Sequence, residues 1–308
     1  MRYRRLGKSG LEVSVIGVGT YQLGGEWGKE FTQREVDAIL GTAQECGINL
    51  IDTAECYGDH LAEQLIGNYI RHDRSRWILA TKFGHRFHDF QNRSRQWKAE
   101  DVRRQIDASL KALHTDYIDL LQYHSPTNEE LLTEGLQEIL ELGVRAGKVR
   151  QIGISLSKSL SSRSDVFQVQ KAPELNAWVM QIHYNRLERT AEKQILPLCL
   201  KLDLGVMARV PLASGLLSGK YGVGASFPDT DVRSIRERSE LEEQIRLVEI
   251  IQAEELPKGM FLSTWALAWC LRHPAVSCVI PGCKSVQQVR QNARASDLVR
   301  EGHPQDLH

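Results

Sequence analysis

The chain has 308 residues, with 39 acidic and 39 basic side chains and therefore no formal net charge. This length is enough for one large core, and no low-complexity linker divides the sequence, so we expect a single domain over residues 1–308. The balanced charge gives no reason to expect a nucleic acid or a membrane surface as a partner.

The N-terminus and the cysteines indicate the compartment. Residues 1–5 are basic but are not followed by an apolar signal core, and the longest apolar-rich stretch, residues 261–271, is too short to span a bilayer. The six cysteines show no C-x-x-C spacing and are too sparse for a disulfide scaffold. The sequence therefore predicts a soluble cytoplasmic protein, and it gives no signal for the oligomeric state.

The start of the chain predicts a hairpin and then a strand. Hydropathy alternates over residues 3–15 around a turn, which predicts a small hairpin that plugs one end of the fold. Residues 14–19 predict the first main strand, which ends in Gly17-x-Gly19-Thr20. A dinucleotide-binding G-x-G-x-x-G would need glycine at position 22, where the chain has Gln22, so a Rossmann fold is disfavoured.

Apolar runs and helical periodicities then alternate to the end of the chain. Strands are predicted at residues 48–51, 77–81, 117–123, 149–154, 177–180, 205–208 and 276–280. Helices are predicted after the capping box Thr32-x-x-Glu35, at residues 61–70, along the repeat Val102, Ile106, Leu110 and Leu113, and at residues 129–145. Residues 84–97 are predicted as a polar loop, and residues 213–238 as a long loop that closes over a ligand. Eight strands separated by helices predict a closed (β/α)₈ barrel, with an open doubly wound sheet as the alternative.

Titratable side chains follow three of the predicted strands. Asp52 and Tyr57 come after the second strand, Lys82 ends the third, and His124 ends the fourth. Parallel strands bring their carboxyl ends to one edge of a barrel, so these four groups are predicted to share one site. Taken singly, each also has a structural explanation: an Asp52–Lys82 salt bridge, a loop tyrosine and a buried histidine.

The four groups together suit the reduction of a carbonyl. Hydride addition leaves an alkoxide that needs a proton, and a phenol, whose pKa is ordinarily about 10, stays protonated at neutral pH. Lys82 would ease the loss of the proton from Tyr57, and Asp52 would fix Lys82. His124 would donate a hydrogen bond to the carbonyl oxygen.

Several motifs, in this order, resemble the aldo-keto reductase superfamily over nearly the whole chain. They are Arg5-Leu6-Gly7, Asp52-Thr53-Ala54-x-x-Tyr57-Gly58, Thr81-Lys82, His124-Ser125-Pro126, Ile280-Pro281-Gly282 and Asn292. The resemblance implies a (β/α)₈ TIM barrel with an N-terminal β-hairpin. It also implies an NAD(P)H-dependent oxidoreductase whose catalytic tetrad is Asp52, Tyr57, Lys82 and His124.

The resemblance further implies where a nicotinamide cofactor binds. Ser155 and Gln181 would hold the carboxamide, although many relatives have Asn where this chain has Leu156. Relatives often carry an aromatic residue that stacks on the nicotinamide where this chain has Arg209, which can stack or face an anion. The residues expected to bind the cofactor are Gly19, Thr20, Ser155, Gln181, Arg209, Pro211, Leu212, Ser214, Gly215, Leu217, Lys220, Gly282, Lys284, Gln288, Gln291 and Asn292.

A cation beside a helix N-terminus indicates whether NADPH or NADH is the expected coenzyme. Lys284 follows the turn at Gly282 and favours a 2′-phosphate over a free hydroxyl, so NADPH is expected rather than NADH. Arg290 is explained equally well by a solvated helix face. No metal site is predicted, since His85-x-x-His88-Asp89 lies in a polar loop without a further ligand, and Cys56 is expected to be buried as a small apolar group.

These observations favour an enzyme that reduces a small aldehyde or ketone with NADPH. One rival is a nicotinamide-binding sensor or regulatory subunit with little turnover. A second rival is a barrel lyase or isomerase that uses Lys82 as a Schiff-base amine. The loops that would shape the pocket, residues 21–31, 83–97 and 213–238, do not predict the substrate.

Overall fold

The structure is a computed structural model that describes residues 1–90, 92–157 and 163–307. Over these ranges the strands are β1 Tyr3–Arg5, β2 Glu12–Ser14, β3 Val18–Gly19, β4 Leu50–Asp52, β5 Ile78–Phe83, β6 His85–Phe87, β7 Arg93–Arg95, β8 Ile118–His124, β9 Val149–Ser155, β10 Ala177–His183, β11 Gly205–Arg209 and β12 Val276–Val279. The α-helices of the same ranges are α1 Gln33–Glu45, α2 Leu61–Ile70, α3 Ala99–Ala112, α4 Asn128–Leu131, α5 Leu136–Arg145, α6 Arg163–Lys171, α7 Ile195–Leu202, α8 Arg238–Glu254, α9 Leu262–Leu271 and α10 Val286–Ala293.

Parallel strands form one curled sheet that closes on itself. Over the described ranges its order is β12-β11-β10-β9-β8-β5-β4-β3. The two edges meet through parallel bridges from Ile16 to Val279 and from Gly19 to Gly282. Gly19 allows this contact, because a Cβ there would lie 2.6 Å from the carbonyl oxygen of Ile280. The predicted closed (β/α)₈ barrel is confirmed, and the open-sheet alternative is wrong.

The N-terminal hairpin closes the amino-terminal end of the barrel, as predicted. β1 and β2 pair antiparallel, and Leu6 and Val13 are fully buried against Leu50, Leu120 and other inward-facing side chains of the barrel strands. The chain terminus covers the hairpin, because the backbone N–H of Arg5 donates to the carbonyl of Gln305. We call the hairpin together with residues 303–306 the barrel floor, and the carboxyl ends of the barrel strands with the loops that follow them the rim.

Two predicted elements differ from those observed. Residues 84–97 are not a plain loop, because β6 and β7 form an antiparallel hairpin within them. Their side chains are largely exposed and polar, so no apolar alternation marked them as strands. The predicted helix at residues 129–145 is two helices, α4 and α5. Gly135 precedes α5 with a φ of +72°, a left-handed conformation that no continuous right-handed helix can contain.

The long segment after β11 lies across the rim. It begins with a short 3₁₀ turn at Ala213–Ser218 and is largely irregular until α8 begins. Residues 230–232 contact the loop after β3, through a bridge between Trp27 and Asp231 and a hydrogen bond of 3.0 Å from the N–H of Val232 to the carbonyl of Glu26. Two loops that were predicted to shape the pocket are therefore in contact with each other.

In the described part of the chain, none of the helices has the length and apolar character needed to cross a membrane.

Candidate active site

The barrel strands bring the four predicted catalytic residues to one place at the rim. Asp52 is the last residue of β4 and Lys82 lies near the end of β5. His124 ends β8 and pairs in register with Ser155 at the end of β9. Tyr57 follows β4 in a short turn, and its ring contacts that of Tyr21 with centroids 4.8 Å apart.

Asp52 and Lys82 form a buried ion pair with almost no solvent exposure. Lys82 Nζ donates to Asp52 Oδ2 at 2.8 Å and to the carbonyl of Thr53 at 2.6 Å. The other carboxylate oxygen, Asp52 Oδ1, accepts from the side-chain amides of Gln122 at 3.1 Å and Gln181 at 2.7 Å. A buried pair is tolerated only when its remaining polar atoms are satisfied in this way. Lys82 Nζ is thus engaged by a carboxylate and a carbonyl, which disfavours its use as a free Schiff-base amine.

Tyr57 reaches this pair through Lys82. Lys82 Nζ lies 3.4 Å from Tyr57 Oη, within hydrogen-bonding distance. The surrounding protein raises the pKa of Tyr57 well above its ordinary value, mainly by excluding water and then through the charge of Asp52, while Arg209 and Arg93 oppose the shift. We expected Lys82 to lower this pKa, but the exclusion of water and the charge of Asp52 prevail, so the net shift is upward. Tyr57 is therefore a protonated phenol at neutral pH.

His124 is neutral at the same site. The pKa of its imidazole lies well below the usual range, chiefly because of burial and then because of Lys82, Arg93 and Arg209. Its Nδ1 lies 3.6 Å from Cys56 Sγ and 3.9 Å from Glu55 Oε2. A neutral imidazole carries one N–H, so His124 can donate one hydrogen bond to a ligand.

Three further residues at the site were missed from the sequence. Gln122 precedes His124 by two positions on β8 and shares its inward face, so strand alternation could have identified it. Glu55 is buried beside His124, and its Oε1 accepts from the backbone N–H of His85 at 3.0 Å. His85 packs edge-on against His124, with ring centroids 4.8 Å apart. Glu55 lies in the turn after β4 and His85 begins β6, and no local pattern predicted that the two would meet at this site.

The two residues expected to hold a carboxamide are neighbours that contact each other. Ser155 and Gln181 pair in register across β9 and β10, and Ser155 Oγ donates to Gln181 Oε1 at 3.3 Å. Gln181 Nε2 also donates to Gln122 Oε1 at 3.1 Å. The amide of Gln181 therefore joins the strand ends to the carboxylate of Asp52.

The two positions that depart from the family pattern are in contact. Arg209 Nη2 donates to the carbonyl oxygen of Leu156 at 3.0 Å. Its Nε is buried and has no hydrogen-bond partner among the residues that the structure describes. The pKa of Arg209 is lowered by burial, while the neighbouring Tyr57 and Asp52 act in the opposite direction. The guanidinium therefore lies beside the tetrad.

The other expected cofactor residues line the rim or pack beneath it. Thr20 Oγ1 donates to the carbonyl of Asp52 at 2.9 Å, and Gly19 and Gly282 meet in the bridge that closes the barrel. The segment containing Pro211, Leu212, Ser214, Gly215, Leu217 and Lys220 turns sharply at Ser214 and Gly215, whose φ angles are +56° and +93°. Leu217 is buried there, whereas Lys220 is exposed.

Lys284 and the start of α10 face the loop after β3. Lys284 Nζ donates to the carbonyl of Trp27 at 2.7 Å, and its backbone N–H donates to Gln288 Oε1 at 2.7 Å. The pKa of Lys284 is lowered, mainly by burial and then by the nearby Arg233. Arg290 forms an ion pair of 2.8 Å with Glu45 on α1.

Gln291 and Asn292 engage the protein itself. Gln291 Nε2 donates to Ser263 Oγ at 2.7 Å, and Asn292 Nδ2 donates to Cys283 Sγ at 3.3 Å. Both side chains therefore fix α10 against its neighbours, whereas Lys284 faces the rim.

The residues of the rejected metal motif are dispersed. His88 Nε2 lies 2.9 Å from Ser94 Oγ on the exposed hairpin, and Asp89 binds Asn92. His85 alone turns inward, toward His124. Cys56 is buried, as expected, and burial raises the pKa of its thiol.

The structure places this chain in the class of (β/α)₈ barrel proteins, with Asp, Tyr, Lys and His side chains gathered at the carboxyl-terminal rim, and sequence comparison identifies the family. Residues 15–302 match the model of the Aldo/keto reductase family. The chain belongs to this family of oxidoreductases.

Individual relatives are moderately similar and extend over almost the whole chain. An "Uncharacterized oxidoreductase YqkF" of Bacillus subtilis is 32% identical over 97% of this chain and 92% of its own length. A "Probable voltage-gated potassium channel subunit beta" of Arabidopsis thaliana is 30% identical over the same shares. The crystal structure of an aldo/keto reductase from Klebsiella pneumoniae, in complex with NADP and acetate, is 29% identical with a TM-score of 0.71, and the match covers 98% of this chain and 92% of that one.

Proposed function

We propose that this protein is a single-domain enzyme that reduces an aldehyde or ketone to an alcohol with NADPH, and that Tyr57 is its general acid. The observation that supports this most directly is the chain of contacts from Asp52 through Lys82 to the phenolic oxygen of Tyr57, with a neutral His124 in ring contact with Tyr57. The Klebsiella relative, whose structure contains NADP, supports the choice of coenzyme.

The rim residues suit the cofactor in three respects. Arg209 has a buried Nε without a hydrogen-bond partner among the described residues, and an acceptor on a bound ligand would satisfy it. Ser155 and Gln181 present adjacent hydroxyl and amide groups of the kind that bind a carboxamide. Lys284 and Arg233 both lie over the ring of Trp27, at 5.7 Å and 5.0 Å from its centroid, so that a phosphate would relieve their mutual repulsion. When bound, NADPH would supply the hydride.

The protein groups would then deliver the proton. Tyr57 donates its phenolic proton to the carbonyl oxygen as charge develops on that atom. The raised pKa of Tyr57 keeps this proton in place beforehand. Lys82, 3.4 Å away, and Arg209 stabilise the phenolate that remains. His124 holds the carbonyl oxygen with its single N–H, and Asp52 keeps Lys82 in position.

Removing the hydroxyl of Tyr57 while keeping its aromatic ring tests this assignment. Tyr57→Phe is expected to lower kcat by about 10³-fold, the scale of lost general acid catalysis, while NADPH still binds. Tyr21→Phe removes the hydroxyl from the ring that neighbours Tyr57, so it is the matched control and should retain turnover. NADPH binding is measured by quenching of tryptophan fluorescence. Full activity of Tyr57→Phe would reject the role of Tyr57 as the acid.

The similarity to a channel subunit keeps a second function open. A nicotinamide-binding sensor would bind NADPH tightly but reduce no carbonyl at an appreciable rate. Steady-state turnover on a broad panel of aldehydes and ketones separates the two functions. Tight binding with negligible rates on every substrate would favour the sensor.

A further inference from the structure

Four potential metal ligands meet beside the tetrad, and the proposed reduction leaves three of them unused. We call Glu55, Cys56, His85 and His124 the Glu55 cluster. One ligand atom from each lies within 4.8 Å of every other. They come from the turn after β4, the start of β6 and the end of β8, so the barrel and the β6–β7 hairpin together assemble the cluster.

The distances within the cluster are close to those of a tetrahedral site. Cys56 Sγ lies 3.6 Å from His124 Nδ1. Glu55 Oε2 lies 3.9 Å from His124 Nδ1, and Glu55 Oε1 lies 4.0 Å from His85 Nδ1. Zinc bonds of about 2.0–2.3 Å place tetrahedral ligand atoms roughly 3.3–3.6 Å apart. To reach these separations, the ligand atoms would need to move closer together by about 1 Å or less.

The cluster also contains buried polar atoms that the protein does not satisfy. Glu55 is only 3% exposed, and its Oε2 has no hydrogen-bond partner in the described ranges. His85 Nδ1 is likewise buried and unpartnered there. Separations of 3.9–4.0 Å are too long for hydrogen bonds between the carboxylate and the imidazoles. An unpaired buried acceptor destabilises the folded protein, and a cation between these groups would remove that destabilisation.

The carboxylate is already positioned for such a cation. Glu55 Oε1 accepts from the backbone N–H of His85, which leaves Oε2 without a hydrogen-bond partner in the described ranges, at 3.9 Å from Nδ1 of His124. The side chains of His85 and His124 are 14% and 16% exposed, so the cluster can be reached from the rim. An outer hydrogen bond of this kind commonly orients a metal-binding carboxylate.

We propose that the Glu55 cluster binds one divalent transition metal of the zinc class through Glu55, Cys56, His85 and His124. One thiolate, two imidazoles and one carboxylate suit zinc, whereas Mg²⁺ and Ca²⁺ prefer oxygen ligands alone. On binding, the S–H bond of Cys56 is replaced by a sulfur–metal bond and its proton passes to solvent, without oxidation of any group. Coordination through Nδ1 of His124 leaves its proton on Nε2, so the metal and a carbonyl ligand would share this residue.

Metal binding itself is the test, and it does not depend on the reductase activity. The metal-free protein is titrated with Co²⁺, whose bond to a thiolate gives a charge-transfer band in the near ultraviolet, and then with Zn²⁺ in competition. We expect one equivalent to bind with that band. Cys56→Ala should abolish the band, and His85→Gln should weaken binding at least tenfold or so. His88→Gln, which alters the exposed histidine of the same hairpin, should bind as the wild type does.

Folding of each variant is checked by thermal unfolding with and without Zn²⁺. Zn²⁺ should raise the Tm of the wild type and of His88→Gln, and should raise that of His85→Gln less at the same Zn²⁺ concentration. The proposal is overturned if Co²⁺ binds to the wild type without a charge-transfer band. It is also overturned if His85→Gln and His88→Gln bind the metal equally well. The wild-type titration decides the matter even if a substitution prevents folding.

Discussion

The floor and the rim of the barrel each contain a buried arginine, and the hydrogen-bond donors of the two guanidinium groups are satisfied to different extents. At the floor, Arg4 is 1% exposed, and its guanidinium donates to the carbonyls of Leu271 and Val276 and to the carboxylate of Asp306. At the rim, Arg209 donates to the carbonyl of Leu156, but its Nε is buried without a partner among the described residues.

The contrast indicates that the floor residues stabilise the fold, whereas we expect the rim residues to bind ligands. Unsatisfied buried polar atoms are rare in folded proteins and need an explanation. At the rim they include Glu55 Oε2, His85 Nδ1 and Arg209 Nε, all close to the tetrad. A bound ligand or metal would supply their partners. Substitutions at the floor should therefore change stability alone, and substitutions at the rim should change binding or turnover.

The largest effect on stability is expected at the floor. Arg4→Met removes the donors to Leu271 and Val276 and leaves Asp306 without its buried cation. We expect a loss of about 3–4 kcal/mol in the free energy of unfolding, measured by urea denaturation, because buried acceptors are left unpaired. The KM and kcat of the folded fraction should stay unchanged.

The next residue provides the control for this prediction. Arg5 pairs with Asp203, but its side chain is 37% exposed, and exposed pairs contribute about 0–1 kcal/mol. Arg5→Met should therefore be nearly neutral. Equal losses of stability in the two variants would contradict the account of the floor.

A smaller effect is expected at the rim, on coenzyme choice. Lys284→Met removes the ammonium that lies over Trp27 beside Arg233 and that we expect to meet a 2′-phosphate. The Kd for NADPH should rise about tenfold, equivalent to about 1.4 kcal/mol, with little change for NADH or in stability. Isothermal titration with each nucleotide measures both.

Arg290→Gln is the matched control for the coenzyme prediction. Arg290 lies on α10 close to Lys284 but is paired with Glu45. Its removal should leave the preference for NADPH intact. If Lys284→Met raised the Kd for NADH and the Kd for NADPH equally, Lys284 would not bind the 2′-phosphate.

The sequence was sufficient to predict the barrel and to predict that Asp52, Tyr57, Lys82 and His124 lie together, because both follow from local pattern. Buried parallel strands appear as short apolar runs, and these four residues stand at or soon after the ends of three of them. Their catalytic roles stay predictions. The hairpin at residues 85–95 was missed because its exposed strands carry mainly polar side chains. The break at Gly135 was missed because the residues around it keep a helical spacing.

Contacts between distant segments could not be predicted. Glu55, His85 and His124 meet only because a hairpin folds inward over the ends of β4 and β8. Leu156 and Arg209 each departed from the family pattern, and only the structure shows that the guanidinium of one binds the carbonyl of the other. The cofactor roles of the rim residues stay predictions.

The smallest effect is expected from pH at the floor. His303 Nδ1 accepts a hydrogen bond of 3.1 Å from the backbone N–H of Gln305, which requires a neutral imidazole. Burial, and then Arg4, lower the pKa of His303 from its ordinary 6.5 to about 4. Between these pH values the unfolded chain binds the proton and the folded chain does not, so stability falls as the pH falls through this window.

His303→Gln should remove that part of the pH dependence. Between pH 6.5 and about 4 the variant should lose about 1 kcal/mol less stability than the wild type, after allowance for the partial exposure of the ring. Urea denaturation at several pH values measures the two slopes, with the exposed His72→Gln as control. Identical slopes in the wild type and His303→Gln would show that protonation of His303 does not oppose folding. A change in turnover without a change in slope would break the distinction between floor and rim, because it would connect a residue of the floor to the chemistry at the opposite end.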